Sequence, residues 1–228
     1  MEFLLDTIHL DDISKAIATL PIAGVTSNPS IVKKEGPVPF FEQLRQVRQL
    51  IGPDRTLHAQ VVGRTTDQMV RDAHTILAEV DDTVYIKVPT NEAGLAAMKQ
   101  LKSEGVHLTA TAIYSEFQGR LAIAAGADYL APYVNRMVNM NVDAYAVIGR
   151  LADQIAREHA STKILAASFH TVQQVNDAFA AGAQAATMGV DVLHTALTNP
   201  AISNAVDQFT EDWESLYGAG ETVTSLLK

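Results

Sequence analysis

The chain has 228 residues, 47% hydrophobic and 19% charged, and at this length roughly 70% of the unfolded surface disappears on folding, which excludes a disordered chain and favours one core. It contains no cysteine, which excludes a disulfide scaffold, zinc-thiolate or iron–sulfur ligation, and a cysteine nucleophile. Seventeen basic against 26 acidic residues give a formal charge of −9, and Lys33-Lys34 is the densest basic pair, so a nucleic-acid partner is not expected.

The chain opens MEFLLDTIHLDD, with acidic residues where a signal peptide needs basic ones, and its apolar run breaks at Asp6. No later stretch approaches eighteen uninterrupted apolar residues, so the expectation is a cytoplasmic protein without a membrane partner. Short apolar or β-branched runs then alternate with helical patterns. Strands are predicted at 3–6, 22–25, 56–62, 83–88, 106–111, 129–133, 163–168 and 185–188. Helices are predicted to open near Leu10, Phe41, Thr66, Asn91, Ser115, Val142, Thr171 and Asp191, with a terminal helix over about 201–217. Asn28–Pro39 and Asn135–Asn141, rich in turn residues, read as loops. AIAAGADYL and AFAAGAQAATM share one pattern, an alanine-rich helix end, a glycine and a strand, which suggests repeated βα units in a single domain spanning 1–228.

Eight βα units can close as a barrel or lie open as a doubly wound sheet. The first strand leads into TIHLDD without a dinucleotide-binding glycine loop, and no GxxxxGK[ST] occurs. Polar residues instead fall at the carboxyl ends of separate strands: Asp6, Asn28, Gln60, Lys87, Thr111, Tyr133 and Ser168. A barrel gathers those ends on one rim, where such enzymes keep their sites, whereas an open sheet spreads them over two edges. The expected fold is therefore α/β, a (β/α)8 TIM barrel with an additional C-terminal helix.

Lys87 stands in TVYIKVPT, where alternation turns it inward with Tyr85 and turns Val84, Ile86 and Val88 toward the helices. An ammonium inside a barrel is costly unless it is paired or its pKa falls, and a neutral amine in a dry pocket attacks carbonyls and forms a Schiff base. A structural Lys87–Asp6 ion pair, or an outward register for Lys87, is the competing reading. Asp6 has the inward phase needed to move protons beside that amine, or else it caps the first helix. Thr26 and Asn28 lie in TSNP after the second strand, as substrate contacts or as turn formers. Gln60 shares a face with His58 and can orient a water or a hydroxyl. Tyr133 can exchange a proton with a substrate oxygen, or it is a tyrosine buried with one hydrogen bond. Arg136 and Ser168 could hold a phosphate dianion beside the helix opening at Thr171; otherwise Arg136 is a solvated loop cation. The seven histidines lack HxH or HxxxH spacing and the acidic residues form no calcium loop, so no metal site is expected.

The segments FLLDT, GVTSNPS, YIKVPTNEAGLAAMKQLKSEGV, TATAIYS, GADYLAPYVNR and ILAASFHT resemble the transaldolase superfamily of class I aldolases, in order and spacing most like its short bacterial members. The resemblance implies that Lys87 is the Schiff-base lysine, that Asp6, Asn28, Thr111 and Ser168 line the pocket, and that Arg136 with Ser168 holds a sugar phosphate. It also divides the superfamily at two positions. Transaldolases carry glutamate and phenylalanine where this chain has Gln60 and Tyr133, while fructose-6-phosphate aldolases carry glutamine and tyrosine. The implied activity is reversible cleavage of fructose 6-phosphate without an organic cofactor, with transaldolase and a non-catalytic sugar-phosphate-binding barrel as the alternatives. His170 departs from the pattern, standing where a lysine is common. The resemblance further implies a homo-oligomer, a pentamer or decamer whose terminal helical arm lies over a neighbouring subunit; Ile202, Val206, Phe209, Trp213 and Leu216 recur near helical spacing in that arm.

Overall fold

A computed structural model describes residues 1–227. The strands are β1 (Glu2–Asp6), β2 (Ile22–Thr26), β3 (Thr56–Gln60), β4 (Tyr85–Pro89), β5 (Leu108–Ile113), β6 (Tyr129–Pro132), β7 (Lys163–Ala166) and β8 (Ala185–Met188). Each pairs in parallel with the next in chain order, and β1 pairs with β8, so the sheet closes as a barrel. The first half of the chain adds α1 (Leu10–Thr19), α2 (Pro29–Glu35), α3 (Phe40–Ile51), α4 (Thr66–Glu79) and α5 (Glu92–Ser103). The second half adds α6 (Glu116–Ala124), α7 (Val134–Asn139), α8 (Ala144–Glu158), α9 (Val172–Ala180), α10 (Val190–Leu197) and α11 (Pro200–Tyr217). This is the expected (β/α)8 barrel with a C-terminal helix.

The chain divides into two compact units. Met1–Val190 carries the barrel. The unit that begins at Asp191 carries α11, which opens at Asn199, whose side chain accepts from Ala201 N at 2.9 Å, with Pro200 in the first turn. Ile202, Val206, Phe209 and Leu216 of α11 are exposed. No helix among the described residues is long and apolar enough to cross a membrane.

Strands buried on both faces account for the weak alternation of their sequences: Val84, Ile86 and Val88 have no exposed surface, and Lys87 between them is 4% exposed. Helix starts follow local chemistry. Thr65 with Gln68 and Thr171 with Gln174 form capping boxes, and Asn91 accepts from Gly94 N at 2.8 Å. Gly94 has a second duty. A Cβ there would stand 1.8 Å from the Pro89 carbonyl oxygen, so only glycine lets α5 pack this close to the end of the strand that carries Lys87.

Two segments expected as loops are helices. Over Asn28–Pro39, the Asn28 carboxamide oxygen accepts from Ser30 N and Ile31 N at 2.9 and 3.0 Å, Pro29 begins α2, and Gly36 at φ 98° follows its end. The residues read as turn formers are thus the caps of a short helix. Over Asn135–Asn141, α7 starts directly from the sixth strand, with the Tyr133 carbonyl accepting from Met137 N at 2.9 Å and Val134 and Met137 buried. Arg136 consequently stands on a helix rather than in a loop. Strand ends also shift. β5 starts at Leu108 instead of Val106, because Val106 N closes the end of α5 on the Leu101 carbonyl. β7 ends at Ala166, since Ser168 lies in the left-handed region at φ 64°.

Candidate active site

The strand ends surround a cavity of about 570 Å³ whose lining includes Asp6, Asn28, Gln60, Lys87, Tyr133, Arg136, Ser168 and His170. Register creates this meeting: Gln60 pairs with Lys87 across β3 and β4, and Asp6 pairs with Thr26 across β1 and β2. A second, largely apolar cavity of about 410 Å³ shares Asn28, Pro29 and Gln60 with it and runs past Phe40, Phe41 and Ile76.

Lys87 faces the first cavity, so the outward register is not the one adopted. Burial lowers its pKa, opposed by the attraction of the Asp6 carboxylate, which enlarges the neutral, nucleophilic fraction of the amine. Asp6 does not cap α1, whose N-cap is His9. It accepts instead from Thr26 Oγ1 at 2.6 Å, and Thr26 Oγ1 lies 2.7 Å from Thr187 Oγ1. A hydroxyl has one proton, and Thr26 gives it to the carboxylate, so Thr187 must be the donor in the second bond. A one-way chain, Thr187 to Thr26 to Asp6, therefore fixes the carboxylate.

Tyr133 Oη lies 2.9 Å from Thr111 Oγ1, and burial raises the phenol's pKa while Thr111 and the Arg136 guanidinium lower it. Ala112, at φ 55°, sits where the β5–β6 register shifts, a bulge next to the Thr111–Tyr133 pair. The Arg136 guanidinium carbon stands 4.8 Å above the Tyr133 ring, and Arg136 Nη1 donates to Tyr114 Oη at 3.1 Å. Gln60 Oε1 is buried with no hydrogen-bond partner among the described residues, an acceptor suited to a ligand hydroxyl or a water. Asn28 lines the cavity while its oxygen caps α2, which leaves its NH₂ free of that cap.

Seven of the nine expected site residues share the cavity wall. Thr26 and Thr111 have no exposed surface and act behind it, bonded to Asp6 and Tyr133. His58 lies deeper, bonded to Thr109 and Thr56 at 2.8 and 2.9 Å, and burial, with the Lys87 and Arg48 charges, lowers its pKa well below the ordinary imidazole value. The sequence reading missed Thr187 and Tyr114. The signal for Thr187 is a lone hydroxyl within the small apolar strand AATM; for Tyr114 it is a phenol just past the end of β5. Among the described residues no group of three or more His, Asp or Glu could hold a metal ion.

The arrangement offers a buried amine of lowered pKa, a braced carboxylate, a phenol and a guanidinium around one cavity, a set able to form and break a carbon–nitrogen double bond next to an anion. The chain is 54% identical over 213 residues to a probable fructose-6-phosphate aldolase of Streptococcus pneumoniae (strain ATCC 700669 / Spain 23F-1), covering 93% of this chain and 96% of that protein. The model of the Transaldolase/Fructose-6-phosphate aldolase family matches residues 3–222, and the chain, an aldolase/transaldolase-type enzyme, belongs to that family.

Proposed function

We propose that the protein is a class I aldolase that reversibly cleaves fructose 6-phosphate to dihydroxyacetone and glyceraldehyde 3-phosphate through a Schiff base on Lys87. The observation that carries this reading is a buried lysine of lowered pKa, facing a polar cavity together with Asp6 and Tyr133. The Lys87 amine attacks the keto carbon, and Asp6 and Tyr133, with a water held by Gln60, move the protons that turn the carbinolamine into an iminium by loss of water. Tyr133, through that water, takes the proton of the C4 hydroxyl. The C3–C4 electron pair moves into the iminium, and glyceraldehyde 3-phosphate leaves. The resulting enamine is protonated at carbon and hydrolysed, which releases dihydroxyacetone and restores the amine. Arg136 and Ser168 hold the phosphate, and Asn28 donates to a substrate oxygen.

Gln60 and Tyr133 favour this reaction over dihydroxyacetone transfer between sugar phosphates, and the likeness to a probable fructose-6-phosphate aldolase points the same way. A coupled assay with and without erythrose 4-phosphate separates the two. Glyceraldehyde 3-phosphate release that proceeds without the acceptor supports the aldolase, and release that depends on it identifies a transaldolase. The exposed apolar residues of α11 also support assembly with further copies of the chain, and the family resemblance suggests a ring of five or a doubled ring of ten. Light scattering at micromolar protein should then give more than twice the 24.6 kDa chain mass; a value near 24.6 kDa would contradict assembly.

A further inference from the structure

Arg136 belongs to a six-residue helix, and a guanidinium on a long, flexible stem is a poor anion site unless something holds it. Two contacts do so here. Tyr114 Oη accepts from Nη1 at 3.1 Å, and the face of the Tyr133 ring lies 4.8 Å from the guanidinium carbon. The two tyrosines also touch each other edge to face, with ring centroids 5.5 Å apart and planes at 77°. Tyr114 is itself anchored, its backbone N–H donating to the Gln118 side chain at 3.0 Å, while Gln118 Nε2 donates to the Thr90 carbonyl at 2.8 Å.

We propose that Tyr114 is a positioning residue: it pins the Arg136 guanidinium over the Tyr133 ring, so that the group meeting a phosphoryl anion and the group moving the proton form one rigid unit. This rests on the reading of the cavity as a sugar-phosphate site. The Tyr114 bond uses one of the five guanidinium N–H groups and leaves the others for an anion. A phosphorylated substrate is thereby oriented from the ring it must react beside, whereas an unphosphorylated one does not draw on Tyr114.

The test is a double-mutant cycle read by calorimetric titration of inorganic phosphate. Tyr114→Phe keeps the ring and its packing on Tyr133 and removes only the hydroxyl. It should weaken phosphate binding by about 3- to 10-fold, the range one net hydrogen bond supplies. In an Arg136→Ala background the same change should weaken binding no further, which a merely structural role of Tyr114 would not predict. In steady-state assays Tyr114→Phe should raise KM for fructose 6-phosphate by a similar factor while kcat changes less, and the loss should exceed that for unphosphorylated fructose. Unchanged phosphate affinity in Tyr114→Phe, an equal loss in the Arg136→Ala background, or no phosphate binding by the unmutated protein would each overturn the proposal. Dihydroxyacetone trapping on Lys87 does not involve Arg136, so failure there would remove the aldolase reading and leave the phosphate cycle to be judged by itself.

Discussion

Thr26→Val isolates what the buried hydroxyl chain does for Asp6. The substitution preserves shape but removes the donor that sits 2.6 Å from the carboxylate, and it strands the Thr187 hydroxyl, 2% exposed, without its acceptor. A hydrogen bond to a charged group is worth about 1.5–3 kcal/mol, and an unsatisfied buried hydroxyl costs about 1–3 kcal/mol, so the variant should lose about 2.5–6 kcal/mol. Against a typical total of about 5–15 kcal/mol that loss is easily measured. Thr187→Val alone should cost less, about 1 kcal/mol, because Thr26 still donates to Asp6. Most diagnostic is the double variant. With Thr187 also made apolar, no hydroxyl is stranded, and the pair should be about 1–3 kcal/mol more stable than Thr26→Val alone. Urea unfolding with linear extrapolation reads all three differences. If the two substitutions cost the same and simply add, the one-way chain is wrong.

Two further outcomes follow from the same geometry. Tyr133→Phe should keep Schiff-base trapping while cleavage of fructose 6-phosphate slows by about 10²-fold or more, the usual weight of a positioned proton-transfer group; an unaltered kcat would take the phenol out of the reaction. His58 supplies a pH signature. Its pKa is held well below 6.5 in the folded chain by burial and nearby cations, whereas the unfolded chain binds that proton below about pH 6.5. Stability contributed by this group is therefore unaffected above pH 7 and falls as the pH drops toward 5, by at most about 1.4 kcal/mol per pH unit. His58→Gln, which can still donate and accept but does not titrate, should show a shallower decline over that interval in urea unfolding; identical slopes would refute the assignment.

Much of the barrel was legible because its signals are local. Thr65-Gln68, Asn91 and Thr171-Gln174 mark helix starts within a few residues, and the eight apolar runs are separated by patterns of the right length. The same locality misled at Asn28–Pro39, where Asn, Pro and Gly serve equally as turn formers and as helix caps, and the composition of the segment does not separate the two. That Asp6, Lys87 and Tyr133 line one cavity could be foreseen because polar residues at strand ends become neighbours once the barrel is assumed. Thr26, Thr111 and Thr187 show the limit of that inference. A threonine at a strand end reads as a substrate contact, whereas closure of the barrel places Thr26 between Asp6 and Thr187 and hides it from the cavity. Thr187 lies 161 residues away from Thr26 in the chain, and no local pattern joins them.

The central claim is covalent chemistry at Lys87, and borohydride trapping followed by peptide mass analysis tests it most directly. Reduction of an iminium fixes the substrate to the chain as a secondary amine. Inactivation should therefore require dihydroxyacetone or fructose 6-phosphate together with borohydride, with the added mass on the peptide containing TVYIKVPT. Lys87→Met, which keeps much of the apolar stem and lacks the amine, should fold and show neither label nor cleavage; Lys87→Arg should fail as well, since a guanidinium stays charged and is a poor nucleophile. A label on Lys99 or Lys163, or cleavage of fructose 6-phosphate by Lys87→Met, would contradict the account at its centre.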